Sequence, residues 1–191
     1  LFPYTTLFRS FEEGFYEIGN WTSSFFTGMA LLAWRTTEEE FFLHQALRLA
    51  PHYREKVFTH SLDTHHDLGF LYSLYSVALY KLTGDKAHRT VGLRAAELLA
   101  QRFNPQGNFI RAWGRMDETE SPIGDGRMRT DDMAIIDCLM NLPLLYWAGN
   151  ETGEAKFREI ATRHADICLK YFIRPDYSTN NIYRFDPETW Q

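Results

Sequence analysis

The chain has 191 residues, of which 45% are hydrophobic and 16% are aromatic, and its formal net charge is −5. This composition excludes a disordered chain and is typical of one globular domain with a sizeable core. The acidic balance, without a basic stripe, argues against nucleic acid as a partner. No apolar run reaches the roughly 18 residues that a membrane span needs, so we expect no membrane partner either.

The first ten residues, LFPYTTLFRS, match the translation of a common sequencing adapter in one reading frame. We therefore treat residues 1–10 as a non-native segment and assign residues 11–191 to a single domain. The natural N-terminus is then expected to be missing, together with any signal peptide. The sequence leaves the cellular location open, with the bacterial cytoplasm or periplasm as the expected compartments.

Three helical hairpins are predicted from the spacing of apolar residues. In each hairpin, an inner helix that is apolar on nearly every turn precedes an amphipathic outer helix. The inner helices are predicted at 21–35, 67–84 and 130–153, and the outer helices at 38–58, 85–103 and 154–173. Pro143 is expected to kink the third inner helix or to mark a broken turn there.

Two segments outside the hairpins, 107–114 and 181–187, are candidate short strands. The polar segment 114–130 is long for a connection, which makes it either a lid or a tolerated insertion. Because Asp137 follows it closely, we expect this loop to border a pocket. Its arginines, Arg127 and Arg129, are expected to be solvated, with pairing to an anionic ligand as the alternative.

Three turns relate the hairpins to one another: Thr36-Thr37-Glu38, Thr83-Gly84-Asp85 and Thr152-Gly153-Glu154. Counting back 15 or 16 residues from the first threonine of each turn leads to Trp21, Asp67 and Asp137. A rise of about 1.5 Å per residue puts these three side chains at one height, roughly 20 Å from the turns. We therefore expect the inner helices to start around a shared cavity, as in a closed ring of hairpins.

The strongest chemical signal is the pair of carboxylates, Asp67 and Asp137. An aspartate at the start of a helix can serve only as a cap or as a partner of the helix dipole. Here, however, a strongly apolar helix follows each aspartate, and two nearby carboxylates raise one pKa and leave the other group ionised. The pair is therefore a candidate for catalysis, with two simple helix caps as the alternative.

His65 and His66 directly precede Asp67 and have the residue type of metal ligands. Adjacent residues at a helix start point in different directions, however, and no further His or Cys cluster has ligand spacing. We therefore expect no metal and favour a histidine that donates a hydrogen bond to a substrate carboxylate. Cys138 and Cys168 lie in apolar helical patterns and are expected to be buried free thiols.

Three aromatic residues, Trp21, Phe25 and Trp113, are candidates for substrate binding. Core packing is the usual role of aromatic side chains at helical spacing. Trp21, however, lies at the predicted height of the carboxylates, and Trp113 is in an irregular segment just upstream of Asp137. Aromatic rings at the mouth of a pocket suit sugars, because the apolar C–H faces of a sugar ring stack on them.

The strings LDTHHDLGFLYSLYSVA and IIDCLMNLPLLYWAGNETG, with FIRAWG between them and WTSSFFTG before them, resemble the unsaturated glucuronyl hydrolases of glycoside hydrolase family 88. The resemblance covers about residues 15–187. It implies an all-α fold, the (α/α)6 toroid of six helical hairpins, and no cofactor. With about three of six hairpins present, the chain is expected to be an incomplete toroid, the N-terminal half.

The resemblance also implies roles for individual residues. Asp137 matches the general acid/base of the family, and Asp67 matches its second essential carboxylate. His66 matches a histidine that contacts the substrate. The aromatic residues that match those lining the pocket are Trp21, Phe25 and Trp113.

The implied reaction removes a 4,5-unsaturated glucuronic acid from the non-reducing end of oligosaccharides that polysaccharide lyases produce. The acid protonates C4 of the vinyl ether, water adds at C5, and the hemiketal opens to release the next sugar, so one carboxylate must give up a proton and take one back. Ser23-Ser24 replaces the Asp-Gly of the family, and residues from its second half have no counterpart. We therefore expect this piece not to turn over substrate.

Two alternatives remain open. The related unsaturated rhamnogalacturonyl hydrolases share the toroid and a catalytic aspartate, although HHDLGF favours the glucuronyl group. A non-catalytic helical-repeat binding module is the other alternative, and it predicts mixed polar residues on the inner helices. An incomplete ring also predicts uncovered apolar surface near residues 25–34 and 135–147, which favours aggregation or dimerisation.

Overall fold

The computed structural model describes residues 21–123 and 126–190. The predicted adapter segment, residues 1–10, lies outside them. The helices are α1 (Ser23–Thr37), α2 (Glu40–Leu47), α3 (Ala50–Phe58), α4 (Leu68–Tyr72), α5 (Ala78–Thr83), α6 (Lys86–Gln101), α7 (Leu142–Thr152) and α8 (Ala155–Tyr171). A π-helical turn, Ser73–Val77, joins α4 to α5 into one inner helix, and 3₁₀ turns form at Ser61–Asp63 and Ile136–Asn141.

Three two-stranded antiparallel ladders accompany the helices. They are β1 (Phe103–Asn104) with β2 (Phe109–Ile110), β3 (Glu120–Ile123) with β4 (Gly126–Arg129), and β5 (Met133–Ile135) with β6 (Ile182–Arg184). Both predicted short strands are confirmed as β2 and β6. The loop 114–130 contains a hairpin, β3–β4, that the sequence did not predict.

The three predicted hairpins are confirmed, but two helices differ from their predicted extent. The first outer helix is interrupted between α2 and α3. The third inner helix begins only at Leu142, and Pro143 lies in its first turn. Proline lacks a backbone N–H, and it is tolerated there because the first N–H groups of a helix have no intrahelical acceptor. Asp137 is therefore in a 3₁₀ turn and not inside an apolar α-helix, so the prediction of one helix over 130–153 is wrong.

Each inner helix ends with the same three-residue turn: Thr37-Glu38-Glu39, Thr83-Gly84-Asp85 and Thr152-Gly153-Glu154. In every copy the threonine hydroxyl donates to the carbonyl four residues earlier, at 2.7–2.9 Å, and accepts the N–H of the acid at 3.2 Å. The middle residue has φ of 60°, 74° or 78°, the left-handed conformation of a helix C-terminus. The first turn is therefore aligned one residue later than predicted, at Thr37.

The central inner helix, α4 to α5, packs against the first outer helices through buried tyrosines. The ring of Tyr75 stacks on Tyr53, with 3.7 Å between ring centroids. The hydroxyl of Tyr75 donates to the carbonyl of Ala46 at 2.8 Å, and that of Tyr72 donates to the carbonyl of Tyr53 at 2.9 Å. These bonds satisfy the phenol groups that burial would otherwise leave unpaired. The inner helix is thereby fixed in rotation.

Apolar side chains remain exposed at both predicted edges of the arc. On α1, Phe25, Met29 and Leu32 are 40%, 61% and 63% exposed, beside a groove of about 380 Å³ between α1 and the central inner helix. At the other edge, Met140 and Tyr146 are also exposed. The prediction of uncovered apolar surface is confirmed. Across the described residues, the helices are too short or too polar to cross a membrane.

Both cysteines are buried free thiols, as predicted. Burial raises the pKa of Cys168 to about 12 and lowers that of the neighbouring His164 to about 4. The Nδ1 atom of His164 accepts the N–H of Ile110 at 3.0 Å, and its Nε2 atom lies 3.6 Å from Cys168 Sγ. Both groups are therefore neutral at pH 7, so this pair attaches β2 to α8 and is not an activated thiolate.

Changing Gly69 to alanine tests the close approach of the central inner helix to the backbone of Asn141. A Cβ atom at Gly69 would lie 2.1 Å from Asn141 Cα, whereas one at Gly28 would lie 3.5 Å from Leu74 Cβ. We expect Gly69→Ala to lower the free energy of unfolding by about 3 kcal/mol. Gly28→Ala is the control and should be neutral or stabilise by about 0.5–1 kcal/mol, because alanine favours a helix. Urea unfolding measures both; equal stabilities would show that the Asn141 backbone can move away.

A second prediction concerns acid stability. Because the pKa of His164 is about 4 in the folded chain and about 6.5 when exposed, protons bind preferentially to the unfolded chain between these values. The free energy of unfolding should therefore fall by up to about 3 kcal/mol as the pH decreases from 6.5 to 4. His164→Asn, which retains an acceptor near the Nδ1 position, should remove that part of the pH dependence.

The matched control is Cys168→Ala, which removes the neighbouring thiol and leaves the imidazole in place. Its free energy of unfolding should keep the wild-type dependence on pH across the same window. Urea unfolding at several pH values gives the comparison. An unchanged pH dependence in His164→Asn would contradict the assignment.

Candidate active site

The two predicted carboxylates are brought together by a backbone contact between the second and third hairpins. At Gly69 the central inner helix approaches Asn141, so closely that no side chain fits between them. The Oδ1 atom of Asn141 accepts the N–H of Phe70 at 3.0 Å, which satisfies one of the free donors at the start of the helix. Asp67 lies two residues before Gly69 and Asp137 four residues before Asn141.

His66 lies between the two carboxylates. Its Nε2 atom is 3.3 Å from Asp67 Oδ1 and 3.7 Å from Asp137 Oδ2. Its Nδ1 atom accepts the N–H of Trp113 at 3.1 Å. Because Nδ1 is an acceptor, the neutral imidazole has its proton on Nε2, on the side of the carboxylates. His65 is exposed, so the structure separates the two adjacent histidines.

A metal ion fits this cluster poorly. One ligand atom each from His66, Asp137 and Cys138 lies within 4.8 Å of the others. The nitrogen of His66 that faces them has the proton, however, and has no free lone pair for a metal. Burial also raises the pKa of the Cys138 thiol, which disfavours the thiolate that metals bind. The donor set therefore suits proton chemistry better than metal binding.

The two carboxylates differ in environment. The Asp67 side chain is 15% exposed and that of Asp137 is 40% exposed. Burial raises the pKa of Asp67 above its ordinary value, the charge of Asp137 raises it further, and His66 and Arg102 oppose the shift. Asp67 is thus the more enclosed group with an increased tendency to bind a proton, and Asp137 is the more accessible one.

Aromatic side chains lie around Phe70, at the start of the central inner helix, and beside His66. Trp21 and Phe25, both about half exposed, contact Phe70 with ring centroids 5.6 and 6.0 Å apart. The ring of Trp113 is 5.9 Å from that of His66, in an edge-on arrangement. The sequence did not predict a role for Phe70, although its position directly after Gly69 in HHDLGF was a signal. The structure therefore brings Asp67, Asp137 and Trp113 around His66. It connects Trp21 and Phe25 to this group through Phe70, three residues after Asp67 in the chain.

The loop 114–130 is attached to the segment that precedes His66. The N–H of Met116 donates to the carbonyl of Leu62 at 2.9 Å, and Arg115 forms an ion pair with Asp63. Arg127 pairs with Glu118 and Glu120, and Arg129 pairs with Asp131. These arginines are therefore paired with acids that lie in the loop or directly after it. A lid role for the loop stays a prediction.

An arc of helical hairpins, with two carboxylates, a histidine and aromatic side chains at one end, is the arrangement of an (α/α)6-toroid glycosidase. The chain belongs to glycosyl hydrolase family 88, whose sequence model matches residues 11–189. The similarity to solved structures of this family confirms the all-α, incomplete (α/α)6 toroid inferred from the sequence.

Two curated relatives illustrate the similarity. The unsaturated glucuronyl hydrolase of Bacillus sp. (strain GL1) is 36% identical over 169 residues, which cover 88% of this chain and 42% of that protein. The unsaturated chondroitin disaccharide hydrolase of Streptococcus pneumoniae is 36% identical over 171 residues, which cover 90% and 41%. The chain therefore spans about two-fifths of the length of the curated relatives it matches.

Solved structures give the same result. The crystal structure of the Bacillus sp. GL1 enzyme matches with a TM-score of 0.78 and 36% identity, over 90% of this chain and 43% of that chain. An unsaturated glucuronyl hydrolase variant from Streptococcus agalactiae, solved in complex with dGlcA-GalNAc6S, matches with a TM-score of 0.68 and 26% identity. That match covers 90% of this chain and 38% of the other.

The electrostatic coupling of the carboxylates can be measured directly. Because the charge of Asp137 raises the pKa of Asp67, Asp137→Asn should lower the pKa of Asp67 toward its ordinary value. Asp131→Asn is the matched control, since Asp131 is paired with Arg129 on the loop and should leave the pKa of Asp67 unchanged. Titration of the side-chain ¹³C carboxyl signals measures both. An unmoved pKa in Asp137→Asn would show that the carboxylates are uncoupled.

Proposed function

We propose that this chain supplies the carboxylate pair of an unsaturated glucuronyl hydrolase. The observation that supports the proposal best is the position of His66, whose Nε2 atom lies 3.3 Å from Asp67 and 3.7 Å from Asp137. Two carboxylates around one N–H group, one enclosed and one accessible, can supply and recover a proton during a reaction. The aromatic side chains alongside suit a sugar ring.

Asp137 is the general acid/base in this proposal, because it is the more exposed carboxylate and can reach a substrate. In its protonated form it transfers a proton to C4 of the C4–C5 double bond of the unsaturated uronic acid. A water molecule then adds at C5, and its proton passes to the Asp137 carboxylate. The resulting hemiketal opens and the next sugar leaves, so the net change is addition of one water molecule.

Asp67 and His66 maintain the environment in which Asp137 works. Asp67 is enclosed, and its raised pKa lets it retain a proton where an exposed aspartate would not. His66 presents a single N–H toward both carboxylates, and on substrate binding this N–H can donate to a substrate oxygen instead. Trp21, Phe25 and Trp113 are proposed to contact the sugar, with Phe70 packed behind the first two.

The proposed substrate class is the unsaturated uronyl oligosaccharides that polysaccharide lyases release. The relatives are named for unsaturated glucuronyl and unsaturated chondroitin disaccharides, and one similar structure contains dGlcA-GalNAc6S. These names support a substrate with an unsaturated glucuronic acid at its non-reducing end.

The test follows the loss of the ultraviolet absorbance of the vinyl ether. Unsaturated chondroitin and hyaluronan disaccharides are incubated with this chain and with the whole polypeptide that its natural gene encodes. We expect hydrolysis by the whole polypeptide, and a decrease of about 10²–10⁴-fold in rate for Asp137→Asn, because general acid–base catalysis contributes that much. Asp67→Asn should also lower the rate. Asp131→Asn, an aspartate outside the pair, serves as the control and should keep the rate.

The other outcomes distinguish the alternatives. Turnover of an unsaturated rhamnogalacturonan disaccharide alone would assign the sister activity of the same toroid. Turnover that Asp137→Asn leaves unaffected would remove Asp137 from its proposed role. Absence of turnover on all three substrates by the whole polypeptide, together with measurable oligosaccharide binding, would favour a binding module.

A further inference from the structure

A buried arginine lies behind the candidate site, with no acidic partner among the ion pairs of the described residues. Arg102 is 3% exposed and directly follows α6. Burial lowers its pKa to about 9, so the guanidinium remains charged at pH 7. A buried charge is costly unless its donors are hydrogen-bonded. The hydrogen bonds of Arg102 therefore indicate the structural role of this buried charge.

Among the described residues, the oxygen atoms that accept from the guanidinium are all backbone carbonyls, and they belong to two loops. Nε donates to the carbonyl of Arg111 at 2.9 Å. Nη1 donates to the carbonyl of Thr64 at 3.2 Å and to that of Gly114 at 3.1 Å, and Nη2 donates to the carbonyl of Trp113. Thr64 precedes His65 and His66 in the chain. One planar side chain thus joins the loop of the histidine to the loop of Trp113.

The loop conformation that Arg102 stabilises is an unfavourable one. Trp113 and Gly114 have φ of 43° and 67°, and positive φ is uncommon for a residue with a side chain. This conformation directs the N–H of Trp113 toward His66 while its carbonyl faces Arg102. The backbone of Trp113 therefore connects the guanidinium of Arg102 to the imidazole of His66.

We propose that Arg102 is a positioning residue of the site. By binding the carbonyls of Thr64, Trp113 and Gly114, it directs the Trp113 N–H onto His66 Nδ1. That hydrogen bond selects the imidazole tautomer with its proton on Nε2, the nitrogen that faces Asp67 and Asp137. A catalytic role of the Nε2–H tautomer rests on the proposed function. The effect of Arg102 on the tautomer of His66 does not depend on it.

Arg102 also acts through its charge. The guanidinium lowers the pKa of Asp67, opposing the effects of burial and of Asp137. Substitutions of Arg102 can separate the effect of its hydrogen-bonding geometry from the effect of its charge. Arg102→Lys keeps a positive charge but lacks the planar fork that reaches several carbonyls, whereas Arg102→Met removes both. The control is Arg94→Lys on α6, the helix that Arg102 follows, because Arg94 donates to the carbonyl of Val57.

The experiment is ¹⁵N NMR of the histidine rings in the chain labelled at histidine. We expect His66 in the wild-type chain and in Arg94→Lys to have the Nε2–H tautomer alone. Arg102→Lys and Arg102→Met should give comparable populations of the two tautomers. In a titration of the ¹³C carboxyl signals, only Arg102→Met should also raise the pKa of Asp67. His164, whose Nδ1 accepts from Ile110, is the internal check that each variant is folded.

A folded Arg102 variant that retains the single Nε2–H tautomer of His66 would overturn the proposal. If Arg102→Met does not fold, Arg102→Lys decides by the same criterion. The wild-type spectrum alone can also overturn the proposal. An Nδ1–H tautomer of His66 would show that Nδ1 does not accept the N–H of Trp113. None of these readouts uses hydrolysis, so failure of the proposed function and failure of the positioning role are observed separately.

Discussion

The close approach of two backbones at Gly69 and Asn141 is the constraint on which the rest of the site depends. A side chain at position 69 would separate the central inner helix from the 3₁₀ turn that precedes α7, because its Cβ would lie 2.1 Å from Asn141 Cα. The hydrogen bond from the Phe70 N–H to Asn141 fixes the register of the contact. Asp67 and Asp137 therefore face the same imidazole, although seventy residues separate them in the chain.

The site avoids a buried cluster of unbalanced charges by combining neutral and charged groups. His66 accepts a backbone N–H at Nδ1, so it faces the two carboxylates as a neutral donor. A positive charge nearby belongs to Arg102, which donates to four backbone carbonyls in the described part of the chain. The charge thus acts on Asp67 at a distance, without forming an ion pair that would make the carboxylate unavailable for proton transfer.

The repeated turns explain why three hairpins form, and the third hairpin shows how a repeat is modified for function. Thr37, Thr83 and Thr152 make the same two hydrogen bonds at the end of each inner helix. The third inner helix is shortened at its start by Pro143, and β5 and a 3₁₀ turn replace the missing helical turns. This replacement places Asp137 in a less regular segment than Asp67. The two carboxylates therefore differ in exposure to solvent, with Asp137 the more accessible of the two.

Local sequence was sufficient to predict the three hairpins, the two short strands and the buried thiols, because periodicity and turn chemistry act over a few neighbouring residues. The family resemblance added the toroid and the expected roles. Tertiary structure alone decided the rest. The tautomer of His66 depends on a backbone N–H 47 residues away, and Arg102 acquires its role from carbonyls in two separate loops. A hydrogen bond to the main chain requires no particular residue type in its partner, so no sequence signal indicated the role of Arg102. For the contact with Asn141, the only sequence signal was the glycine at position 69.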